Sequence, residues 1–199
     1  MNKGHLIAFE GLDQSGKQTQ AERLLERFRS AGHKAEFLSF PEYTTAIGHE
    51  IGHALQGERS YAPDTLQLLY IANRFEFRPR IAQWLDAGTM VVCDRYLASS
   101  IAYGGAQGVD TAWLTEIQRS LPQPSLTILL DIPPDASLKR KKVARDKFER
   151  DLPLLGRVRD SYLRQAEHST SWIRLEGSLE KDAVSTAVVS AVRSRLGLL

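Results

Sequence analysis

The sequence predicts a single α/β domain in which helices flank a parallel sheet of five strands. Short apolar runs alternate with longer amphipathic stretches along the chain, as expected when strands and helices alternate in a parallel sheet. The chain has 199 residues, enough for one domain with a substantial core. The pattern contains no internal repeat, low-complexity tract or linker. We therefore expect residues 1–199 to fold as one domain.

Each element follows from a local residue pattern. The five short apolar runs predict strands at residues 6–9, 35–40, 90–93, 126–132 and 171–175. Apolar residues at helical spacing predict helices at residues 17–31, 45–57, 64–87 and 180–195, and further helices fill the gaps. In the first helix Leu24 and Phe28 share one face, and Gly32 follows its end. Ligands of such a domain bind beyond the carboxyl ends of the strands.

Composition and charge exclude several classes of protein. The 26 basic and 24 acidic residues give a net charge of +2, so no overall field attracts nucleic acid. The single cysteine, Cys93, cannot form an internal disulfide or a thiolate metal site. No apolar run reaches the ~18 residues that span a bilayer, and the chain start does not resemble a signal peptide. We expect a cytoplasmic protein that binds neither nucleic acid nor membrane.

A phosphate-binding loop (P-loop) is predicted between the first strand and the first helix. The spacing Gly-x-x-x-x-Gly-Lys occurs here with a strand before it and a helix after it, the context that this motif requires. Its glycines let backbone N–H groups surround a phosphate, while the helix N-terminus and the lysine attract the negative charge. A glycine-rich turn that merely ends a strand is the alternative. The predicted nucleotide-binding residues are Gly11, Leu12, Asp13, Gln14, Ser15, Gly16, Lys17 and Gln18.

Gln18 departs from the usual pattern of this loop. The residue after the lysine is normally Ser or Thr, whose hydroxyl binds Mg²⁺. Thr19 carries a hydroxyl one position later, but it points about 100° further round the helix. We therefore expect the Gln18 amide oxygen, or a water, to take the Mg²⁺ position.

The third predicted strand ends in Asp94 and Arg95. A carboxylate at the tip of a strand beside the P-loop strand is suited to hold Mg²⁺ or to orient a phosphate acceptor. An arginine beside it can bind phosphate with two parallel hydrogen bonds. The alternative is an ordinary ion pair at a strand end.

Together these segments resemble the thymidylate kinase family, P-loop kinases that phosphorylate dTMP with ATP and Mg²⁺. The resemblance extends over nearly the whole chain. It rests on FEGLD at 9–13, SGK at 15–17, FPE at 40–42, IG at 47–48, LLY at 68–70, NRFE at 73–76, DRY at 94–96, SSIAY at 99–103, LD at 130–131, DKFE at 146–149 and RVR at 157–159. It implies a P-loop kinase fold with a short helical lid at about residues 139–150. It also implies ATP and Mg²⁺ as cofactors and a homodimer as the assembly.

The resemblance assigns roles to individual residues. It implies that Tyr70 stacks on the thymine, that Arg74 binds the base edge, and that Tyr103 crowds the 2′ position of the sugar. Without it, plain core packing is the better interpretation of Tyr70. The implied catalytic residues are Lys17, Asp94, Arg95, Arg140 and Arg145, with Asp94 and Gln18 at the metal. The implied substrate-binding residues are Asp13, Pro41, Tyr70, Arg74, Arg95, Ser99 and Tyr103.

Basic residues are concentrated in the predicted lid. Alone, such a run indicates a nucleic-acid patch or a solvated helix face. The resemblance places it over ATP, where guanidinium groups stabilise charge on the transferred phosphoryl group. Because Gln14 in the P-loop is neutral, we expect the catalytic arginines in the lid, and we select Arg140 and Arg145. The run consists of Lys139, Arg140, Lys141, Lys142, Arg145, Lys147 and Arg150.

Two positions differ from the family pattern near the monophosphate. Many members have an arginine at the position of Glu42 or Tyr43, and a glutamine usually follows Tyr103, where this chain has Gly104. Both differences remove polar contacts, so the preference for dTMP is less firmly implied than the kinase chemistry.

Other functions are left open by the sequence. His49-Glu50-x-x-His53 matches the zinc-protease motif, although Gly52 disfavours a rigid helix and no third histidine follows at the expected spacing. A deoxynucleoside kinase or another nucleoside monophosphate kinase would share the P-loop and the lid. A nucleotide-binding module without catalysis is a further alternative, which Gln18 and Gly104 favour.

Overall fold

The computed structural model describes residues 3–140 and 151–199, which contain a five-stranded parallel sheet. The strands are β1 (Leu6–Glu10), β2 (Ala35–Ser39), β3 (Met90–Asp94), β4 (Leu126–Asp131) and β5 (Trp172–Glu176). Their order across the sheet is β2-β3-β1-β4-β5, and every neighbouring pair is parallel. The predicted fold class is confirmed, and the strand bounds agree with the predicted ones to within about one residue.

Eight helices cover the sheet within these residues. They are α1 (Lys17–Ser30), α2 (Ala46–Gln56), α3 (Pro63–Asp86), α4 (Leu97–Ala106), α5 (Thr111–Ile117), α6 (Pro134–Arg140), α7 (Leu152–Glu167) and α8 (Lys181–Leu196). Side-chain caps fix the starts of three of them: the Thr45 hydroxyl accepts from Gly48 N, and the Asp110 and Asp151 carboxylates accept from the first turns of α5 and α7.

The core lies on both faces of the sheet. Ile7 and Phe9 of β1 pack with α1 and α8 on one face, where Phe28 and Val188 are also buried. Leu6 of β1 faces the opposite side and packs with α3. Successive side chains of a strand point to opposite faces, and here helices cover both faces of the sheet. All three of these β1 residues are therefore apolar.

The sheet register brings two functional segments together. Phe9 of β1 pairs with Asp94 of β3, and Arg95 N donates to Phe9 O at 2.9 Å. Both strands end at the same edge because they are parallel. The P-loop after β1 and the Asp94–Arg95 segment after β3 therefore lie side by side.

An ion-pair cluster joins β4, α7 and β5 at the same edge. The nearly buried Asp131 carboxylate accepts from Arg159 Nε at 2.7 Å and from Arg174 Nη2 at 2.7 Å. Gly177 N donates to Asp131 O at 2.8 Å, which holds the loop after β5 against the sheet edge.

The predicted lid is described only in part. Arg140 is the last residue of α6, whereas residues 141–150, which include Arg145, lie outside the described residues. In the described part of the chain, no helix combines the length and the apolar character needed to cross a bilayer.

The packing of α1 against the sheet yields a stability prediction. We expect Phe28→Ala to lower the free energy of unfolding by about 3–5 kcal/mol, because it leaves a cavity in the core that joins α1 to β1. The control Leu179→Ala, at a side chain with 53% of its surface exposed, should change it by less than about 0.5 kcal/mol. Urea unfolding followed by circular dichroism measures both. Equal effects of the two substitutions would contradict this account of the core, and two separate transitions would contradict the single domain.

Candidate functional site

The P-loop connects β1 to α1 through backbone conformations that favour glycine. Gly11 has a φ of +138°, and a Cβ there would lie 2.5 Å from Leu130 O, so no side chain fits. Gly16 caps α1 with a φ of 92°. The helix start has no side-chain cap, which leaves its first N–H groups to bind an anion. These features are those of a phosphate site, as the Gly-x-x-x-x-Gly-Lys spacing predicts.

Lys17 is buried inside this loop. Its Nζ donates to Leu12 O at 2.7 Å. Burial and the nearby Arg95 charge lower the pKa of Lys17 from 10.5 to about 8, against the opposite effect of Asp13 and Asp94. The Oγ of Ser15, also buried, has no hydrogen-bond partner among the described residues. An anion bound in the loop would favour the charged form of Lys17 and would accept a hydrogen bond from Ser15 Oγ.

An ion pair joins the P-loop to the segment after β3. Arg95 Nη2 donates to Asp13 Oδ1 at 2.6 Å, and Arg95 Nη1 donates to the hydroxyls of Ser99 and Tyr162 at 3.2 and 3.3 Å. Arg95 has a φ of 63°, uncommon for a residue with a side chain. Burial raises the pKa of Asp13, but the charges of Arg95 and Lys17 outweigh it and lower that pKa to about 2. Both partners are therefore charged at neutral pH.

Glu10 is a buried carboxylate that the sequence analysis did not assign to the site. Its Oε1 accepts from Tyr96 N at 2.8 Å. Its Oε2 accepts from Ser99 Oγ at 2.7 Å and from Tyr162 OH at 3.0 Å. The signal in the sequence was an acidic residue directly after the apolar run at residues 6–9. A fully buried carboxylate needs hydrogen-bond donors such as these three groups. Glu10 fixes the start of α4 and the hydroxyls that contact Arg95.

A cavity of about 110 Å³ opens beside Arg95. All seven predicted substrate-binding residues contribute to its wall, including Tyr70 and Arg74 of α3 and Tyr103 of α4. The five other lining residues were not among the predicted substrate-binding residues, although Tyr43 was named as a position near the monophosphate. The complete lining consists of Asp13, Phe40, Pro41, Tyr43, Leu55, Gln67, Tyr70, Arg74, Arg95, Ser99, Ser100 and Tyr103.

Arg74 is a buried residue in the wall of this cavity. Its Nη1 donates to Ser100 Oγ at 2.8 Å and to Gln118 Oε1 at 3.4 Å, and its guanidinium lies 6.0 Å from the Phe40 ring centre. Burial lowers the pKa of Arg74, whereas the Glu10 charge raises it. Its Nε has no hydrogen-bond partner among the described residues. A ligand with an oxygen acceptor would satisfy that donor.

Asp94 fits a magnesium site better than Gln18 does in this conformation. Asp94 Oδ1 is buried, with no hydrogen-bond partner in the described part of the chain. Gln18 is exposed, and its amide donates to Glu22 Oε1 at 2.9 Å. No group of three or more His, Cys, Asp or Glu residues within 3–140 and 151–199 could hold a metal. Mg²⁺ does not require one, because one or two carboxylates and substrate phosphates commonly bind it.

Arg140 lies against the outer side of the P-loop. Its Nη1 donates to Gln14 O at 3.1 Å and to Gly177 O at 3.2 Å. A second cavity lies here, between the P-loop, α1 and the loop after β5. Because it is lined by Ser15 and Gly16 of the loop and shares no lining residue with the first cavity, it is suited to the rest of a nucleotide whose phosphates occupy the loop. The predicted Arg145 is outside the described residues.

The His49-Glu50-x-x-His53 segment is helical, but its side chains have other partners. Glu50 accepts from Tyr61 OH and pairs with Arg59 at 3.4 Å, and His53 Nδ1 pairs with Glu58. Because the described residues also contain no group of three or more His, Cys, Asp or Glu that could hold a metal, the zinc-protease hypothesis has no structural support.

Comparisons with known proteins agree with the fold and identify the family. The family model described as thymidylate kinase matches residues 9–188. The thymidylate kinase of Schizosaccharomyces pombe is 33% identical over 195 residues, covering 96% of this chain and 92% of that protein. The human thymidylate kinase is 32% identical over 183 residues, covering 92% and 86%. The solved thymidylate kinase of Candida albicans superimposes with a TM-score of 0.86 at 27% identity, covering 96% of this chain and 92% of that one.

The bonds to Glu10 yield a prediction on stability. We expect Glu10→Gln to lower the free energy of unfolding by about 1–3 kcal/mol, because the amide nitrogen would face a donor that now binds a carboxylate oxygen. The exposed Glu167→Gln on α7 is the control, with a change below about 0.5 kcal/mol. Urea unfolding distinguishes the two. A Glu10→Gln protein as stable as the control would show that the three hydrogen bonds contribute nothing.

Proposed function

This chain belongs to the thymidylate kinase family of phosphotransferases, and we propose that it transfers the terminal phosphoryl group of ATP to the 5′-phosphate of dTMP. The products are ADP and dTDP. The observation that carries this proposal is the Arg95–Asp13 ion pair, which joins the P-loop to the cavity that contains Tyr70, Arg74 and Tyr103. A phosphate donor on one side and a phosphate acceptor on the other would meet at this pair.

Residues of the P-loop bind and orient the donor. The N–H groups at the start of α1 and the Lys17 ammonium face the donor phosphates, and the second cavity accommodates the nucleoside. Guanidinium groups at the transferred phosphoryl group stabilise its negative charge. Arg140 is close enough to the loop to act there, and Arg145 is proposed for the same role on the family resemblance alone. Mg²⁺ would be held at Asp94 and would neutralise phosphate charge.

Arg95 would hold the phosphate of dTMP. Its guanidinium lies at the junction of the loop and the cavity, where a phosphate oxygen can replace one of the neutral hydroxyls that now accept from it. The attacking oxygen belongs to a phosphate that is already anionic. A strong general base is therefore not required, and positioning and charge stabilisation supply the catalysis.

The cavity would hold the nucleoside of dTMP. The Tyr70 ring suits stacking on the base, and Arg74 Nε suits a carbonyl oxygen of its edge. Tyr103 and Ser99 lie nearer Arg95, where the sugar would pass. Without Arg95 the Asp13 carboxylate would repel the phosphate, so the ion pair also makes the entrance acceptable to an anion.

The homodimer and the cytoplasmic location are also proposals. The homodimer rests on the family resemblance. A reducing compartment is supported by the buried, unpaired thiol of Cys93.

A panel of acceptors tests the proposed function. ADP release from ATP and Mg²⁺ is measured with dTMP, dUMP, dCMP, dAMP, dGMP or thymidine, each added separately. We expect dTMP to be the best acceptor. Turnover of thymidine but not dTMP would make the protein a nucleoside kinase, and no turnover with any acceptor by folded, ATP-binding protein would contradict catalysis.

Lys17 yields a pH prediction. Its pKa of about 8 lies below its usual value, so in the free protein the ammonium is lost as the pH rises through about 8. Because the ammonium binds the donor phosphates, we expect ATP affinity to fall above that pH, and Lys17→Met to lower turnover by at least about 100-fold. Calorimetric titration of ATP between pH 6 and 10 measures the affinity. The same inflection in Lys17→Met would exclude Lys17 as its source.

Arg95 yields a prediction that separates acceptor from donor. We expect Arg95→Ala to lower kcat/KM for dTMP by at least about 100-fold, because a phosphate contact in the transition state is lost. The Kd of ATP, measured without dTMP, should change less than about threefold. Arg119→Ala, at an exposed arginine of the segment after α5, is the matched control. An unchanged KM and kcat for dTMP in Arg95→Ala would refute the assignment.

A further inference from the structure

The wall of the first cavity contains a buried amide that the mechanism above does not use. Gln67 of α3 lines the cavity, and only 1% of its surface is exposed. Its Oε1 has no hydrogen-bond partner within the described residues. Buried polar atoms are almost always paired, so an unpaired amide oxygen at a cavity wall indicates a ligand that supplies the donor.

Gly104 of α4 lies next to the Gln67 side chain. A Cβ at Gly104 would lie 3.0 Å from Gln67 Cγ and 2.6 Å from Leu114 Cδ1. Any side chain at position 104 would thus displace Gln67 or Leu114. Because Gly104 has no side chain, α4 leaves space for the Gln67 side chain, which lines the cavity from α3.

A second unpaired group lies on the same helix face. Gln67 and Arg74 are seven residues apart, two turns of α3, and Tyr70 lies between them. All three line the cavity. Arg74 Nε is a donor without a partner, and a guanidinium has no acceptor. The face thus offers one group that only donates and one amide that can accept.

We propose that Gln67 Oε1 accepts a hydrogen bond from the ring N3–H of the bound pyrimidine and, together with the Arg74 donor, selects thymine or uracil over cytosine. This inference rests on the proposed function. Arg74 Nε donates to the adjacent ring carbonyl, which fixes the edge of the base. Cytosine has an amino group in place of that carbonyl and no hydrogen on N3. The amino group of cytosine would face the Arg74 Nε donor, so two donors would oppose each other. Rotation of the Gln67 amide does not remove this mismatch.

The experiment compares Gln67→Met with the wild type on three monophosphates. Met has a similar length and lacks the amide, so it removes the hydrogen bond with little change in volume. Values of kcat/KM are measured for dTMP, dCMP and N3-methyl-dTMP, which lacks the N3 hydrogen. We expect Gln67→Met to lower kcat/KM for dTMP by about tenfold or more and to change the values for the other two much less. The penalty for N3 methylation should shrink by the same factor, and the KM of ATP should stay constant.

Controls separate this inference from the proposed function. The exposed Gln123→Met should leave all three values unchanged. If Gln67→Met does not fold, the shorter Gln67→Asn keeps the polarity and should reduce the dTMP:dCMP ratio in the same way. A folded variant with the wild-type ratio and methylation penalty overturns the inference while the proposed function stands. Wild-type protein that phosphorylates none of the monophosphates overturns the proposed function. Calorimetric binding of the same three compounds would then still test Gln67.

Discussion

The ion pair between Asp13 and Arg95 is the contact on which the rest of the site depends. Parallel pairing of β1 with β3 places the two residues on adjacent loops, with Phe9 opposite Asp94 in the register. The pair spans 2.6 Å and joins the loop suited to a phosphate donor with the cavity suited to an acceptor. Without it the Asp13 carboxylate would stand uncompensated among the phosphates, and Arg95 would lack the contact that fixes its position.

Buried charges around this pair are arranged to favour anions. Lys17, Arg74 and Arg95 are positive, and the buried Glu10 carboxylate accepts three hydrogen bonds from its own surroundings. The charge of Glu10 favours the charged forms of Arg74 and Lys17, although Glu10 does not line the first cavity. Burial lowers the pKa of Lys17 to about 8, and the charge of the nearby Arg95 acts in the same direction. A nucleotide phosphate would add a negative charge beside Lys17 and Arg95, on the side of these cations that is open to a ligand.

Local patterns predicted the parts of this molecule that depend on local physics. The five strands follow from apolar runs, the P-loop from glycine spacing, and the Asp94–Arg95 segment from its place at a strand end. The family resemblance added Tyr70, Arg74 and Tyr103, which the structure places in one cavity. The roles of Glu10 and Gln67 depend on contacts with residues far away in the chain, such as Tyr162 and Gly104, and no local pattern reveals such contacts. Gln18 is different: its contact with Glu22 is an i, i+4 pair that the sequence alone could have indicated.

The central claim is that one site brings a donor and an acceptor nucleotide together at the Asp13–Arg95 pair. A compound in which adenosine and thymidine are joined through their 5′ oxygens by a chain of phosphates tests it most directly. Linking two ligands that occupy adjacent sites makes the second binding event intramolecular. The account predicts that this compound binds at least about 100-fold more tightly than ATP or dTMP alone and competes with both. Binding no tighter than ATP, or competition with only one of the two nucleotides, would contradict it.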